Sequence, residues 1–219
     1  MLIQQLAIQT SQITELDFFY REILQLQVIN FRDEKIIIHT AQSRLVFTTA
    51  HKSEPVYHFA FTIPANKIEE AKKWLENKVS LLWMEDYKGD IADFVNWKAK
   101  SIYFYDPAGN IVEFIARFDL DNASTEPFSS AQLLSISEAG LVFPAKQLDS
   151  KTNMLLTQYP LTYFDKQPPL PQFKAVGDEE GLFVIVPEHR NWFPTTMPSG
   201  IFPLEVNFMQ QGKSYTFSY

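Results

Sequence analysis

The sequence predicts an α+β fold assembled from repeated βαβββ units, each a strand and a helix followed by three more strands. A strand pattern followed by a helix pattern occurs three times, beginning near residues 2, 56 and 136. Two of these strands end alike, in Ile63-Pro-Ala65 and Phe143-Pro-Ala145. A hairpin pattern over 101–118 joins an aromatic strand to an apolar one. One such unit cannot bury the face of its own sheet, so the units are expected to pair.

The first unit is predicted from the opening residues of the chain. Residues 2–10 alternate between apolar and polar side chains as a strand does, and a helix with apolar residues at helical spacing follows. Three short strands are expected near 26–32, 34–40 and 44–49, separated by polar turns.

The second unit has the clearest pattern. A strand is predicted over 56–63, and Pro64 begins a helix at the position that proline tolerates best. A strand near 79–84 and the hairpin over 101–118 complete the unit. The hairpin turn, Asp106-Pro-Ala-Gly-Asn110, contains the residue types that turns prefer.

The third unit is the most divergent. Polar residues 119–131 are interpreted as a linker, so the predicted division is a paired domain over 1–118 and a divergent third unit over 132–219. Within that unit, strands are expected at 136–142, 162–165, 201–208 and 215–219, a helix at 145–158, and a hairpin at 173–187.

Two segments could cover a binding site. The polar loop from Glu85 to Lys100 is long enough to act as a lid, with Phe94 or Trp97 over a ligand. His189-Arg-Asn-Trp192, with Phe193 and Pro194 after it, is interpreted as an exposed loop. Its alternatives are a cover for the site and a subunit contact.

Composition excludes several classes of function. The chain has no cysteine, which rules out disulfides, zinc–thiolate sites and cysteine nucleophiles. The net charge of −7 without a basic block argues against nucleic-acid binding. No apolar run reaches the ~18 residues of a membrane span. No secretory signal is visible at the start, so a cytoplasmic location is expected.

Glu113 is the most informative single residue. It lies in the middle of an apolar strand, where a carboxylate is costly unless it is hydrated, paired or bound to a metal. His58 lies on the first strand of the same unit, on the face away from the aromatic side chains. An ion pair of Glu113 with Arg117, and a His58 satisfied by its neighbours, are the structural alternatives to a metal site.

Two segments resemble the vicinal oxygen chelate superfamily, which includes glyoxalase I, bleomycin and fosfomycin resistance proteins and extradiol ring-cleaving dioxygenases. They are Tyr103-Phe-Tyr-Asp-Pro-Ala-Gly-Asn-Ile-Val-Glu113 and Tyr57-His-Phe-Ala-Phe-Thr62. The resemblance is good over residues 1–118 and weak over 132–219. It implies that two units form a cup-shaped mixed sheet with helices outside, plus a divergent third unit.

The resemblance also implies a divalent metal at the floor of the cup, held by the first and last strands of each unit. Carried over by position, these places are Gln5, Phe47, His58 and Glu113. Phenylalanine cannot bind a metal, so Gln5, His58 and Glu113 are the predicted ligands of Fe, Mn, Ni or Zn. Glu113 is also the predicted catalytic residue, either as a ligand throughout or as a base that detaches from the metal.

The third unit is predicted to hold no metal. Glu138 aligns with His58, and Val184 with Ile185 takes the place of Glu113. The unit is therefore expected to act as a cap, or to pair with a second chain in a homodimer.

Two main functions follow from the resemblance. The first is a metal-dependent enzyme, a lyase or isomerase or a ring-cleaving dioxygenase, acting on a small substrate with vicinal oxygens. The alternative is a metal-free protein that binds and sequesters a small aromatic or amphipathic molecule in the same cup. A third reading is an interaction module that associates through its third unit.

Overall fold

The structure, a computed structural model, describes residues 1–32, 34–51 and 53–219. In this part of the chain thirteen strands join in one sheet, and three α-helices pack against it. The strands are β1 (Leu2–Thr10), β2 (Gln27–Phe31), β3 (Lys35–His39), β4 (Arg44–Thr49), β5 (His58–Ile63), β6 (Ile91–Phe94), β7 (Ala99–Tyr105), β8 (Ile111–Arg117), β9 (Ser135–Phe143), β10 (Lys174–Asp178), β11 (Gly181–Pro187), β12 (Leu204–Gln210) and β13 (Lys213–Ser218). The helices are α1 (Ile13–Phe18), which continues as a π-helix over Phe19–Ile23, α2 (Ile68–Glu76) and α3 (Leu148–Gln158). The predicted α+β fold of repeated βαβββ units is confirmed.

Each repeat closes in the same way. The first strand of the unit lies parallel to its last strand, as β1 to β4, β5 to β8 and β9 to β11. Parallel neighbours need a crossover connection, which α1, α2 and α3 provide. In α2 the buried residues Ile68, Ala71 and Leu75 recur at helical spacing and face the sheet.

The partners of the units differ from the predicted arrangement, in which the first two units form one paired domain over 1–118. The first strand of the second unit, β5, pairs antiparallel with β9 of the third unit. The first strand of the first unit, β1, instead pairs from Leu2 to Ile8 with β12 of the terminal hairpin. A single residue pair, Ile3 with Ile136, joins β1 to β9.

The physical reason for this pairing lies in the tail. Leu204, Val206 and Phe208 are buried at alternating positions of β12, so this strand extends the core beside β1. The third unit, left without a partner in the prediction, is therefore paired inside the chain. A homodimer through the third unit stays a prediction.

Two short strands were predicted where the structure has only isolated bridges. Over 79–84 the chain forms isolated bridges at Leu81 and Met84, while β6 lies within the predicted lid loop. Similarly, 162–165 contributes one bridge, between Tyr163 and Val176. These segments are too short and irregular for alternation to locate them.

The sheet separates two environments. On the helix side, Val112 and Phe114 of β8 join the large core with the buried faces of the three helices. On the opposite side, Ile111 belongs to a smaller apolar cluster, and Glu113 and Arg117 are buried beside it. Among the described residues, no helix combines the length and apolar character needed to cross a membrane.

Candidate functional site

Three strands bring three ionisable side chains to one point. Ala60 of β5 is in register with Glu113 of β8 on one side and with Glu138 of β9 on the other. Residues in register on neighbouring strands point to the same face, and His58, two residues before Ala60, shares that face. The small Ala60 side chain leaves the space between the two carboxylates free.

The resulting cluster is compact and buried. Nε2 of His58 lies 3.5 Å from Oε2 of Glu113 and 4.0 Å from Oε2 of Glu138. One potential ligand atom from each residue lies within 4.8 Å of the others. Glu113 is only 2% exposed, so its carboxyl group is almost completely removed from solvent.

A backbone carbonyl fixes the tautomer of His58. Nδ1 lies 3.1 Å from the carbonyl oxygen of Ile111, which can only accept a hydrogen bond, so Nδ1 carries the proton. The lone pair of Nε2 then faces the carboxylates. Burial lowers the pKa of His58 to about 4, which keeps the ring neutral at physiological pH.

The two carboxyl groups differ in charge state. Burial, and next the negative charge of Glu138, raise the pKa of Glu113 to about 8. Burial also raises the pKa of Glu138, but the positive charge of Arg117 and its hydrogen bond oppose this rise. We therefore assign the proton of the pair to Glu113 and the negative charge to Glu138.

Arg117 holds Glu138 in place. Its Nη2 lies 2.5 Å from Oε1 of Glu138, its Nε donates to Oγ of Ser137 at 3.2 Å, and its guanidinium lies 5.4 Å from the Trp97 ring. Arg117 is fully buried, so water cannot take the place of Arg117 as the partner of Glu138. The expected alternative, an ion pair of Arg117 with Glu113, is replaced by the pair with Glu138.

A cavity of about 270 Å³ opens over the cluster. Its walls are largely aromatic, and they include Phe94, Trp97, Tyr103, Phe173, Trp192 and Phe193. The ring centroid of Trp192 lies 5.2 Å from that of His58, and that of Tyr103 lies 6.3 Å away. An apolar pocket with a few converging polar groups is the usual form of a small-molecule site.

The segment after β11 covers this cavity. Trp192 is buried against Gly140 of β9, where an added Cβ would lie 2.7 Å from the indole and 2.9 Å from the carbonyl oxygen of His58. The exposed-loop interpretation of this segment is therefore wrong for Trp192, and the alternative of a cover is confirmed. Phe94 and Trp97 also line the cavity, as the lid prediction expected.

Gln5 lies elsewhere. It is in register with Arg44 of β4 and Asn207 of β12, and it is absent from the described residues that line the cavity. The reason is the sheet order, which places β9 between β1 and β5. Glu138 thus occupies the place predicted for Gln5.

The third unit, which was predicted to hold no metal, contributes Glu138 to the group that could bind one. Glu138 occupies the position of His58 in its own unit, and Val184, aligned with Glu113, lines the cavity without a donor atom. The alignment of Glu138 with His58 was the signal for this role. It was missed because the second unit was expected to pair with the first.

The donor set fits a divalent metal. One neutral imidazole nitrogen and two carboxylates suit Fe, Mn, Ni or Zn, and the three donors leave positions open for a ligand. His58 donates a hydrogen bond to the Ile111 carbonyl, and Glu138 accepts one from Arg117. These two bonds orient two of the three possible ligands, as is usual for metal-binding side chains.

Comparison with known proteins supports the fold. The sequence matches no protein-family model and no curated protein. A putative dioxygenase from Bacillus subtilis is structurally similar, with a TM-score of 0.59 and 15% identity over 92% of this chain and 68% of that chain. A glyoxalase/bleomycin resistance protein/dioxygenase from Alicyclobacillus acidocaldarius gives a TM-score of 0.44 and 19% identity over 53% of this chain and 92% of that one. Lactoylglutathione lyase from Agrobacterium tumefaciens gives 0.42 and 19% over 51% and 90%.

The chain therefore shares its fold with this putative dioxygenase, in agreement with the fold that the sequence resemblance implies. A sequence identity of 15% supports a shared fold and nothing more, so the chemistry has to be argued from the cluster and its cavity.

Proposed function

We propose that this protein is a divalent-metal-dependent enzyme acting on a small substrate with two adjacent oxygens. The reaction class is that of a lyase or isomerase, or of a ring-cleaving dioxygenase. The observation that carries the proposal is the convergence of His58, Glu113 and Glu138 beneath an aromatic cavity.

In this proposal His58, Glu113 and Glu138 hold the metal. When bound, the ion supplies Lewis-acid stabilisation of negative charge that develops on the substrate oxygens. His58 binds through Nε2 because its Nδ1 is engaged by Ile111. Glu138 stays ionised because Arg117 is its partner.

Glu113 has the properties of a proton carrier. In the metal-free site its pKa is raised to about 8 by burial, so this carboxyl group can hold a proton near physiological pH. Glu138, paired with Arg117, lacks this freedom. Two carboxyl groups whose environments differ in this way can divide the roles of proton transfer and fixed charge.

The second candidate function is metal-free binding of a small aromatic molecule. It is favoured by the charge balance of the cluster, because Arg117 offsets Glu138 and a proton on Glu113 neutralises the rest. The aromatic walls would then provide the binding energy by themselves.

Elemental analysis of protein purified without chelator, followed by calorimetric titration with Mn²⁺, Fe²⁺, Ni²⁺ and Zn²⁺, separates the two. The enzyme proposal expects about one ion per chain, or uptake of one on titration. No bound metal and no uptake would reject it and leave the binding function.

A further inference from the structure

Arg190 is a cation in the cavity wall without a carboxylate partner. It lies three residues beyond β11, is half-buried, and lines the same cavity as His58 and Glu113. Its Nη1 donates to the carbonyl of Asn191 at 3.2 Å, and its guanidinium lies 5.4 Å from the Phe173 ring. Within residues 1–32, 34–51 and 53–219 it forms no ion pair.

The other charges of the cavity are already balanced or shared. Glu138 is paired with Arg117, and Glu113 holds either a proton or, in the proposed enzyme, a metal. Arg190 is therefore the uncompensated charge. Its influence reaches the cluster, because its positive charge contributes to lowering the pKa of His58.

Arg190 lines more than one depression of the molecule. It lines the cavity and also a second depression on the surface, together with Glu85 and Thr195. Glu113 and Glu138 line the cavity but not the second depression. Because the buried cluster and the guanidinium of Arg190 line the same cavity, one ligand can contact both.

A second polar group points to a ligand. Trp192 is 3% exposed, and its indole nitrogen has no hydrogen-bond acceptor within the described part of the chain. A buried donor left in this state is costly, and a ligand oxygen would satisfy it.

We propose that Arg190 binds the carboxylate of a small aromatic acid whose ring lies between the aromatic walls. A planar guanidinium is suited to bidentate contact with a carboxylate. The cavity volume of about 270 Å³ lies just below the range usual for drug-sized ligands, which selects a compound of about one ring. The vicinal oxygens at the opposite end of this acid rest on the proposed function, whereas the carboxylate contact does not.

Four probes separate the two ends of the ligand. They are benzoate, its neutral analogue benzamide, 3,4-dihydroxybenzoate and 3,4-dihydroxybenzamide. Each is titrated calorimetrically into the full-length protein, loaded with metal or treated with EDTA. The variants are Arg190→Gln, Arg190→Lys and, as a matched control on the exposed start of β4, Arg44→Gln.

The wild-type protein is expected to bind each acid about tenfold or more tightly than its amide, because charge-assisted hydrogen bonds are the stronger ones. Arg190→Gln abolishes this preference, Arg190→Lys retains part of it, and Arg44→Gln retains all of it. The preference persists in EDTA, and it weakens with added salt.

Equal affinity of the wild-type protein for acids and amides overturns the proposal, whatever the behaviour of the variants. A preference that survives in Arg190→Gln also overturns it. A dihydroxy advantage lost in EDTA supports the proposed function independently, so the two proposals fail in distinguishable ways.

Discussion

Glu138 of β9 and His58 of the neighbouring antiparallel strand β5 converge, with Oε2 of Glu138 4.0 Å from Nε2 of His58. They occupy the same position in two repeats of the chain. The last strands of the same two repeats contribute Glu113 and Val184. The cluster is thus a set of four related positions of which three carry donor atoms.

Replacing Glu138 is expected to weaken metal binding far more than replacing Gln5. Glu138→Gln removes an ionised donor, so we expect a loss beyond the roughly 10–100-fold typical of groups that only support a ligand. Gln5→Ala serves as the control, because Gln5 lies outside the cavity-lining residues. Calorimetric titration with Mn²⁺ measures both. Equal losses in the two variants would contradict the assignment of Glu138.

Stability of the metal-free protein should fall as the pH rises from 6.5 to 8. The pKa of Glu113 is raised from 4.5 to about 8 in the folded state, so over this range the folded state binds more protons than the unfolded state. The expected loss is on the order of 1–2 kcal/mol. Urea unfolding in EDTA at both pH values measures it. In Glu113→Gln this fall should be lost, and a fall of equal size in that variant would refute the cause.

Loss of Arg117 should destabilise the fold strongly. Arg117→Met leaves the negative charge of Glu138 buried without its partner, which costs about 3–5 kcal/mol when a buried pair is broken. Adding Glu138→Gln removes that charge and should restore much of the stability. Urea unfolding compares the two variants with Lys98→Met, which breaks an exposed ion pair and should change little. A double variant no more stable than Arg117→Met would disprove the coupling.

Gly140→Ala should displace the cover of the cavity. Its Cβ would meet the indole of Trp192 and the carbonyl oxygen of His58, and the backbone atom cannot yield cheaply. We expect a red-shifted tryptophan emission and a lower Tm. Gly89→Ala is the matched control, because its nearest contact would be 3.7 Å away. An unchanged emission in Gly140→Ala would show that Trp192 does not depend on this close approach.

The local patterns of the sequence predicted the fold because alternation and helical spacing are properties of single segments. Glu113 and His58 were found in this way, since a carboxylate in an apolar strand and a histidine on the matching face need an explanation. The partner of each unit was not predictable by the same means. The first strand of every unit carries a similar alternation. Only the burial of Val206 and Phe208 in the tail shows that the partner of β1 is β12.

For this reason Gln5 was predicted as a ligand at the place where the structure has Glu138. Both lie on first strands at related positions, and the choice between them depends on whether β1 or β9 lies beside β5. The segment of Arg190 and Trp192 was interpreted first as an exposed loop, with a cover of the site as an alternative, because it has no periodic pattern. Its course is fixed by tertiary contacts, such as that of Trp192 with Gly140.

The pairing of β1 with β12 also has a consequence for synthesis on the ribosome. At 5–20 residues per second, roughly 10–40 s separate the emergence of the two strands. During that interval the edge of β1 from Gln5 to Ile8 is open, whereas the second and third units can already associate. The edge of β1 is therefore among the last parts of the sheet to be covered. Exposed strand edges bind other chains, so this interval is when a chaperone would matter most.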